Sequence, residues 1–251
     1  MNMRAFVLAV TAVLGLSALA SADVLIDHTG NNDPVDEGWG VIRDFGATAT
    51  AVTNDNGTGL NAWAISKSIS SQEKGYEYVL TSGEAAAATS FGWVVKSTLR
   101  IANVNDAPDY AVSMLYSNGT KRFDLALGSN AAGDPIAMLV NSYVANGGDP
   151  AGPSFTLTGG GNNYHIYEMI FNKVTNTADL KIDGVTRISG YTGNNQFVPT
   201  PRLQWGAFGG DGTGDGRYNG MELDVTVPEP ASIALCTLIP LIALTPRRRR
   251  S

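Results

Sequence analysis

Between Asp23 and Val227 the apolar residues recur mostly at every second position, which is the period of a half-buried β-strand rather than that of a helix. Four of these alternating runs are clear enough to predict two strand pairs. The runs are Tyr110, Val112, Met114 and Tyr116; Phe123, Leu125 and Leu127; Tyr167, Met169 and Phe171; and Ala178, Leu180 and Ile182.

Turn residues separate the alternating runs. Asn118-Gly119 and Asp183-Gly184 each lie between two runs, as expected for tight hairpin turns, and Asp134-Pro135 leads into another strand. Only the stretch from Gly83 to Thr89 looks helical, and it is too short for a crossover connection. A dozen or so strand candidates in one body therefore predict an all-β, two-sheet antiparallel jelly-roll sandwich.

One hairpin of the body is similar to a known family. Tyr164–Phe171 followed by Asn176–Gly184, with Leu203–Gly206 and a closing strand from Asn219 to Val227, resembles the laminin-G-like and concanavalin A-like lectin/glucanase domains. The opening segment from Asp33 to Trp39 resembles exported bacterial versions of that domain. The resemblance implies a jelly-roll fold and a body that binds carbohydrate.

The first 22 residues predict a secretory signal peptide. Arg4 supplies a positive charge, Ala5–Leu19 is an apolar run that is short for a membrane span, and Ala20, Ser21 and Ala22 form a small-x-small cleavage site before Asp23. We expect residues 1–22 to be removed during export through the Sec translocon, and residues 23–226 to form the mature domain.

The C-terminal segment, residues 227–251, combines three features in a fixed order. Pro228, Glu229 and Pro230 come first, and an apolar stretch from Ala231 to Thr245 follows. A basic cluster completes the segment: Arg247, Arg248, Arg249 and Arg250. Fifteen apolar residues reach about 22 Å as a helix, against about 30 Å of hydrocarbon, and Pro240 interrupts them. The pattern predicts a short, transient inner-membrane helix with its arginines in the cytoplasm.

This arrangement resembles the PEP-CTERM sorting signal of Gram-negative and related bacteria. The resemblance implies that an exosortase, a membrane-embedded cysteine protease, cuts near Pro228–Pro230 and releases the protein or transfers it to the cell surface. We therefore expect a location at the cell surface or outside the cell. An ordinary tail anchor is the alternative, but it leaves the Pro-Glu-Pro motif unexplained.

The charge and the cysteine content of the body limit the partners and the kinds of site that it can have. Five of the 17 basic residues lie in the two ends and one of the 23 acidic residues lies in the tail, so the body holds 12 bases and 22 acids, a net charge of −10. That charge argues against nucleic acid as a partner. The single cysteine, Cys236, lies in the apolar tail, so the body can hold neither a disulfide nor a thiolate metal site.

Sugar binding and calcium binding are the two site hypotheses that the sequence supports. Trp39, flanked by glycines, and Trp63, two residues after Asn61, could lie at an edge or loop and stack there on an extracellular polysaccharide. Trp93 and Trp205 lie in apolar strands and are expected in the core. Asp211 and Asp215, in a glycine-rich loop, could bind calcium, although a flexible loop without metal is the simpler interpretation.

Catalysis receives less support. Laminarinase-type glucanases carry three acids as Glu-x-Asp-x-x-Glu, and here Glu222 and Asp224 match but Val227 replaces the third acid. The two histidines, His28 and His165, show no metal-binding spacing and accompany no Gly-x-Ser-x-Gly motif. We predict a non-catalytic carbohydrate-binding surface protein, with a purely structural or adhesive matrix protein as the alternative and a glucanase as the weakest of the three.

Overall fold

The computed structural model describes residues 20–102, 112–144, 148–196, 199–208 and 212–228 of the chain. Within these ranges two antiparallel sheets form a jelly-roll-like sandwich, which confirms the all-β prediction. The strands are β1 Ala20–Thr29, β2 Gly40–Phe45, β3 Thr48–Val52, β4 Ala62–Lys67, β5 Glu73–Val79, β6 Trp93–Ala102, β7 Val112–Ser117, β8 Arg122–Ser129, β9 Pro135–Leu139, β10 Ser142–Val144, β11 Gly148–Ala151, β12 Ser154–Thr156, β13 Tyr164–Asn172, β14 Thr177–Ile182, β15 Val185–Tyr191, β16 Arg202–Ala207 and β17 Gly214–Pro228.

The described strands divide between two large sheets and one small ribbon. Sheet 1 has the order β15-β14-β13-β6-β17-β4-β3, with β1 also paired to β17. Sheet 2 has the order β12-β9-β8-β7-β16-β5-β2, and β10 pairs with β11. Neighbouring strands in both sheets are often distant in sequence, so the rows of side chains across each sheet combine residues from all parts of the body.

The predicted hairpins form where the turn residues place them. β13 and β14 pair with Met169 opposite Leu180, and both side chains are fully buried, as their alternation requires. The chain then turns into β15 through Asp183 and Gly184, whose φ angles of 52° and 75° are left-handed. A type I′ hairpin turn needs positive φ at both central positions, which explains why Asp-Gly appears here.

A single α-helix in the described ranges, α1 over Ser82–Phe91, contains the segment that looked helical. Its start is fixed by a capping box, in which the Thr81 hydroxyl accepts a hydrogen bond from the Glu84 amide and the Glu84 carboxylate accepts one from the Thr81 amide. Glu84 also accepts a hydrogen bond of 2.8 Å from the Tyr78 hydroxyl of β5, which ties the helix to sheet 2.

The core lies between the facing sides of the two sheets and holds two groups of aromatic rings. In one group Trp205 of sheet 2 lies 4.7 Å from Tyr218 of sheet 1, measured between ring centroids. In the other, Trp93 lies 4.2 Å from Tyr116. The burial of Trp93 and Trp205, each 2% exposed or less, confirms their prediction as core residues.

Most of the two predicted targeting segments lies outside the described residues. Ala20, Ser21 and Ala22, the predicted cleavage residues, begin β1, and Pro228 ends β17. Residues 1–19, Glu229, Pro230, the apolar stretch and Arg247–Arg250 fall beyond the described ranges. Among the residues that are described, no helix is long and apolar enough to span a membrane. Processing at either end remains a prediction.

Candidate functional site

The two tryptophans predicted to bind sugar are buried, so the expectation that their rings are exposed to a ligand at an edge or loop is wrong. Trp39 is 2% exposed and Trp63 is 8% exposed. The Trp39 indole N–H donates to the Asp27 carbonyl at 3.1 Å, and the Trp63 indole N–H donates to the Tyr76 hydroxyl at 3.0 Å. With both rings packed and both donors satisfied inside the protein, neither ring presents a face to a ligand in this structure.

The local fold explains why Trp39 turns inward. Pro34–Glu37 forms a 3-10 turn that ends at Gly38, whose φ of 97° is available to glycine at little cost. The reversal brings the Trp39 amide to the Pro34 carbonyl at 3.0 Å and directs the ring into the sandwich. There it lies 5.6 Å from Trp205, edge to face. Gly38 therefore serves a tight turn, and Gly40 begins β2 directly after Trp39.

His28 belongs to the same core cluster. Its ring is 2% exposed and stacks on Trp205 at 4.9 Å, and its Nδ1 contacts the Glu37 carboxylate. Burial lowers the pKa of His28, against the opposing effect of Glu37. The contact joins the 3-10 turn to β1 and keeps His28 inside the aromatic cluster of the core.

The calcium hypothesis gains no geometric support from the part of the loop that is described. Asp215 lies in β17, where its carboxylate is 3.4 Å from the Arg217 guanidinium. Asp211 lies outside the described residues. Within the described ranges, no group of three or more histidine, cysteine or acidic side chains is placed to hold a metal ion. Calcium binding at Asp211 therefore stays a prediction.

The acids considered for glucanase chemistry lie on the outer face of sheet 1. Glu222 opposes Lys96 in the strand register, and the Lys96 ammonium donates to its carboxylate at 3.1 Å. Asp224 lies two positions further along the same face, and burial raises its pKa. Both acids therefore lie partly buried on the outer face of β17, which is an internal strand of sheet 1.

A groove of about 520 Å³ lies on the outer face of sheet 2. Residues directly opposite each other in neighbouring strands point to the same side of a sheet, so the strand register defines what lines the groove. Three rows cross β16, β7 and β8 on this face. They are Arg202, Ser117 and Arg122; Gln204, Leu115 and Asp124; and Gly206, Ser113 and Ala126.

Each arginine of the groove is paired with a carboxylate on the same face. The N–O distances are 3.2 Å for Arg43–Glu73, 3.1 Å for Arg122–Asp124 and 2.8 Å for Arg202–Glu77. Further hydrogen bonds hold two of these pairs in place: Gln204 donates to the Glu77 carboxylate at 3.1 Å, and the Arg122 guanidinium donates to Gln196 at 2.6 Å. The groove thus presents planar polar groups whose orientations are already fixed.

Asp124 is the most deeply placed carboxylate of the groove, at 1% exposed. Burial raises its pKa to about 6, although Arg122 and a hydrogen bond of 2.9 Å from the Asn194 amide oppose the shift. The Asn194 amide also donates to the Val140 carbonyl at 2.9 Å. Asp124 therefore anchors one end of the groove to the loop that carries Asn194 and Gln196.

Two polar atoms of the groove lining are buried without a hydrogen-bond partner among the described residues. One is Oε2 of Glu73, which nevertheless forms the ion pair with Arg43. The other is the hydroxyl of Ser113, a residue that is 3% exposed. A buried hydroxyl without a partner costs about 1–3 kcal/mol relative to a satisfied one. Because the Ser113 oxygen is buried beneath the groove surface, it is not available to a ligand in this structure.

Two phenylalanines supply the apolar part of the groove and its rim. The Phe208 ring lies over Gly75, where an added Cβ would come within 2.2 Å of the ring, so only glycine leaves it this position. Phe45 opposes Glu73 in the register of β2 and β5 and therefore points to the groove side of the sheet. It is 59% exposed, which makes it an accessible aromatic ring beside the groove.

Phe45 and Phe208 were not predicted as sugar-binding residues, because only tryptophans were considered as aromatic rings on which a sugar could stack. A usable signal was present, because Phe45 ends a short segment that contains Arg43 and Asp44, which is the composition of an edge strand with one solvent-facing side. The polar members of the groove gave no such signal. Arg202, Gln204 and Asp124 come together only through strand pairing.

Comparison with known proteins finds similarity at the level of the fold. No family model matches the chain, and no curated protein matches it. A carbohydrate esterase from the Shiga toxin-encoding bacteriophage phi24B has a similar structure, with a TM-score of 0.61 and 17% identity over 82% of this chain and 100% of that one. A protein of unknown function from Shewanella oneidensis gives a TM-score of 0.51 and 11% identity, covering 86% of this chain and 93% of that one.

A third similar structure is a botulinum neurotoxin type C chain, described as dependent on two ganglioside molecules for cell entry. Its TM-score is 0.51 at 9% identity, and the match covers 86% of this chain but 51% of the toxin chain. This chain therefore spans about half the length of that structure. At these identities the similarity shows a shared β-sandwich fold.

Proposed function

We propose that this chain is an exported bacterial surface or extracellular-matrix protein whose body binds carbohydrate, without catalysis, in the groove on the outer face of sheet 2. The observation that carries the proposal is a groove of about 520 Å³ whose three arginines are each held by a carboxylate on the same face of the sheet. A ligand rich in hydroxyl groups offers both donors and acceptors to such a surface.

The fixed arginine–carboxylate pairs support the same ligand class. A guanidinium held by one carboxylate still presents N–H groups in a rigid plane, and a carboxylate oxygen accepts more than one hydrogen bond. Sugar hydroxyls use both kinds of partner. Because Arg202 and Glu77 already lie 2.8 Å apart, a ligand meets side chains that are ordered before it binds, which lowers the entropic cost of association.

The spacing of the groove carboxylates supports binding rather than hydrolysis. Glu77 and Asp124 lie in one row across β5, β16, β7 and β8. Three strand spacings separate them, or about 14 Å. Glycoside hydrolases place their two carboxyl groups about 5–9.5 Å apart around the scissile bond. Two proteins of similar structure, a carbohydrate esterase and a botulinum neurotoxin whose cell entry depends on gangliosides, support a sandwich that binds glycans.

The test of the groove is a glutamine-to-alanine exchange at position 204, whose partly exposed side chain lines the groove. Gln204→Ala is expected to weaken glycan binding about three- to tenfold, since one hydrogen bond is worth about 0.5–1.5 kcal/mol. The same variant should lose little stability, because Glu77 keeps its ion pair with Arg202. Isothermal titration calorimetry with a ligand selected on a glycan array measures the first effect, and urea unfolding measures the second.

Ser97 provides a control on the other sheet. It is fully buried and its hydroxyl donates to the Gly220 carbonyl at 2.8 Å. Ser97→Ala should therefore lose about 1 kcal/mol of stability and keep its affinity for the glycan. Unchanged glycan affinity in Gln204→Ala would remove the groove from the proposal. An array on which the folded protein binds no glycan would favour the structural matrix protein instead.

Export and sorting form the second part of the proposal. We expect signal removal after Ala22 and exosortase cleavage near Pro228, with exosortase and the inner membrane as transient partners. Mass spectrometry of the protein from its host should recover a surface or extracellular chain that starts near Asp23 and ends close to Pro228–Pro230. Intact cytosolic chains running from Met1 to Ser251 would contradict it.

A further inference from the structure

We propose that the groove takes an uncharged oligosaccharide chain that lies across the strands of sheet 2 and stacks one sugar ring on Phe45 at the sheet edge. This inference rests on the glycan-binding function proposed above and adds the length, the charge and one contact of the ligand. It follows from the extent of the groove, from its charge balance and from the exposure of Phe45.

The groove crosses five adjacent strands. Its lining includes Arg43 on β2, Glu73 on β5, Gln204 on β16, Leu115 on β7 and Asp124 on β8. Four strand spacings of about 4.8 Å separate the outer two strands, a distance of roughly 19 Å. A single sugar ring covers only part of that span. A chain lying perpendicular to the strands can contact polar groups along all of it.

The charges in the groove cancel. Its three arginines face three carboxylates, and each pair lies within 3.2 Å. An anionic ligand would have to displace a carboxylate from its arginine, or lie beside that carboxylate at close range, and both arrangements cost binding free energy. The net charge of −10 on the body adds a repulsion at longer range. A ligand that binds through uncharged hydroxyl groups incurs neither the displacement of a carboxylate nor the charge repulsion.

Phe45 extends the polar groove with an apolar face. Its ring is 59% exposed and lies on the groove side of β2, next to Glu73 in the register. The flat C–H face of a sugar ring packs on an aromatic ring while its hydroxyls reach polar neighbours. Arg43, two residues before Phe45 on the same strand and 53% exposed at its side chain, is such a neighbour.

The chain offers a second exposed phenylalanine as a matched control. Phe91 is 38% exposed and ends α1, where the Lys173 ammonium lies 5.4 Å from its ring centroid. It takes no part in lining the groove. Phe45→Ala and Phe91→Ala remove the same side chain from the surface, but only Phe45→Ala removes a ring beside the groove. A difference between the two variants therefore reports the groove rim.

The experiment is isothermal titration calorimetry of the residue 23–228 body and both variants. The probes are gluco-, manno- and xylo-oligosaccharides from monosaccharide to hexasaccharide, with oligogalacturonates as anionic counterparts at low and high salt. We expect affinity for a neutral series to rise up to a tri- or tetrasaccharide and to be independent of salt. Phe45→Ala should weaken tetrasaccharide binding about fivefold, and Phe91→Ala should leave it unchanged.

The outcomes separate this inference from the function on which it rests. Equal affinity for monosaccharide and tetrasaccharide, tighter salt-dependent binding of oligogalacturonate, or full affinity in Phe45→Ala would each overturn the inference while leaving a glycan site in place. Absence of binding to every saccharide, with the protein folded, would overturn the proposed function itself. Circular dichroism of each variant establishes that the fold is intact.

Discussion

Replacing Asp55 with alanine is expected to lower the free energy of unfolding by about 3–5 kcal/mol, because it leaves the Arg100 guanidinium buried without its counter-ion. The Arg100 side chain donates twice to Asp55, at 2.7 Å each, and Tyr164 donates to the same carboxylate at 2.9 Å. Asp55 is 5% exposed and Arg100 is 6% exposed. The network joins the loop after β3 to β6 and β13.

Urea unfolding of the purified body measures this effect, and the exposed pair of Lys74 and Asp44 provides the comparison. Those two side chains lie 3.0 Å apart, but that of Asp44 is 63% exposed. Asp44→Ala should therefore change stability by less than about 1 kcal/mol, as most surface ion pairs do. Similar losses in Asp55→Ala and Asp44→Ala would show that the buried network does not have the strength that its geometry indicates.

Trp39→Ala is expected to destabilise the fold by about 3–5 kcal/mol and to leave the glycan affinity of the folded fraction unchanged. The Trp39 ring packs against Trp205 and lies 6.4 Å from Tyr78, so its removal opens a cavity between the 3-10 turn and sheet 2. The groove residues lie on the opposite face of that sheet. Thermal unfolding and calorimetry of the same sample separate the two properties.

Trp39→Phe is the conservative companion to this variant. It keeps most of the packed ring and loses the indole N–H that donates to Asp27, so we expect a loss nearer 1 kcal/mol. A Trp39→Ala protein with the stability of the parent but without glycan affinity would contradict the buried position of this ring. It would also return the binding site to Trp39, where the sequence alone suggested it.

The sheet character of the body could be predicted from local pattern, because a strand with one buried face alternates along its length. Met169, Leu180 and Ile182 are buried where that alternation requires. Asp183-Gly184 also has the turn geometry that its residue types favour. These features depend on residues close in sequence, so no knowledge of sheet order is needed to find them.

The position of Trp39 could not be derived in the same way. Glycine neighbours occur both in exposed loops and in tight turns that direct a side chain inward, and only the turn at Gly38 decides between them. Trp63 lies in β4, where the four consecutive residues from Ala62 to Ile65 are all buried, so no alternation marks which side of this strand faces solvent. Composition around a tryptophan therefore did not identify an exposed ring.

The groove could not be derived from the sequence because its residues meet through sheet order. Arg43 and Glu73 are 30 positions apart, and Arg202 and Glu77 are 125 positions apart. Both pairs depend on the placement of β5 between β2 and β16. Jelly-roll topology brings such strands together, but the register that aligns their side chains is fixed by core packing on the other face.

The glycine at position 75 has a consequence for how this chain can vary. A strand glycine normally weakens a sheet, yet here its missing Cβ is the space in which the Phe208 ring lies. Any larger residue at 75 would push that ring outward into the groove. In related chains we therefore expect positions 75 and 208 to covary, with a bulkier residue at 75 accompanied by a smaller one at 208.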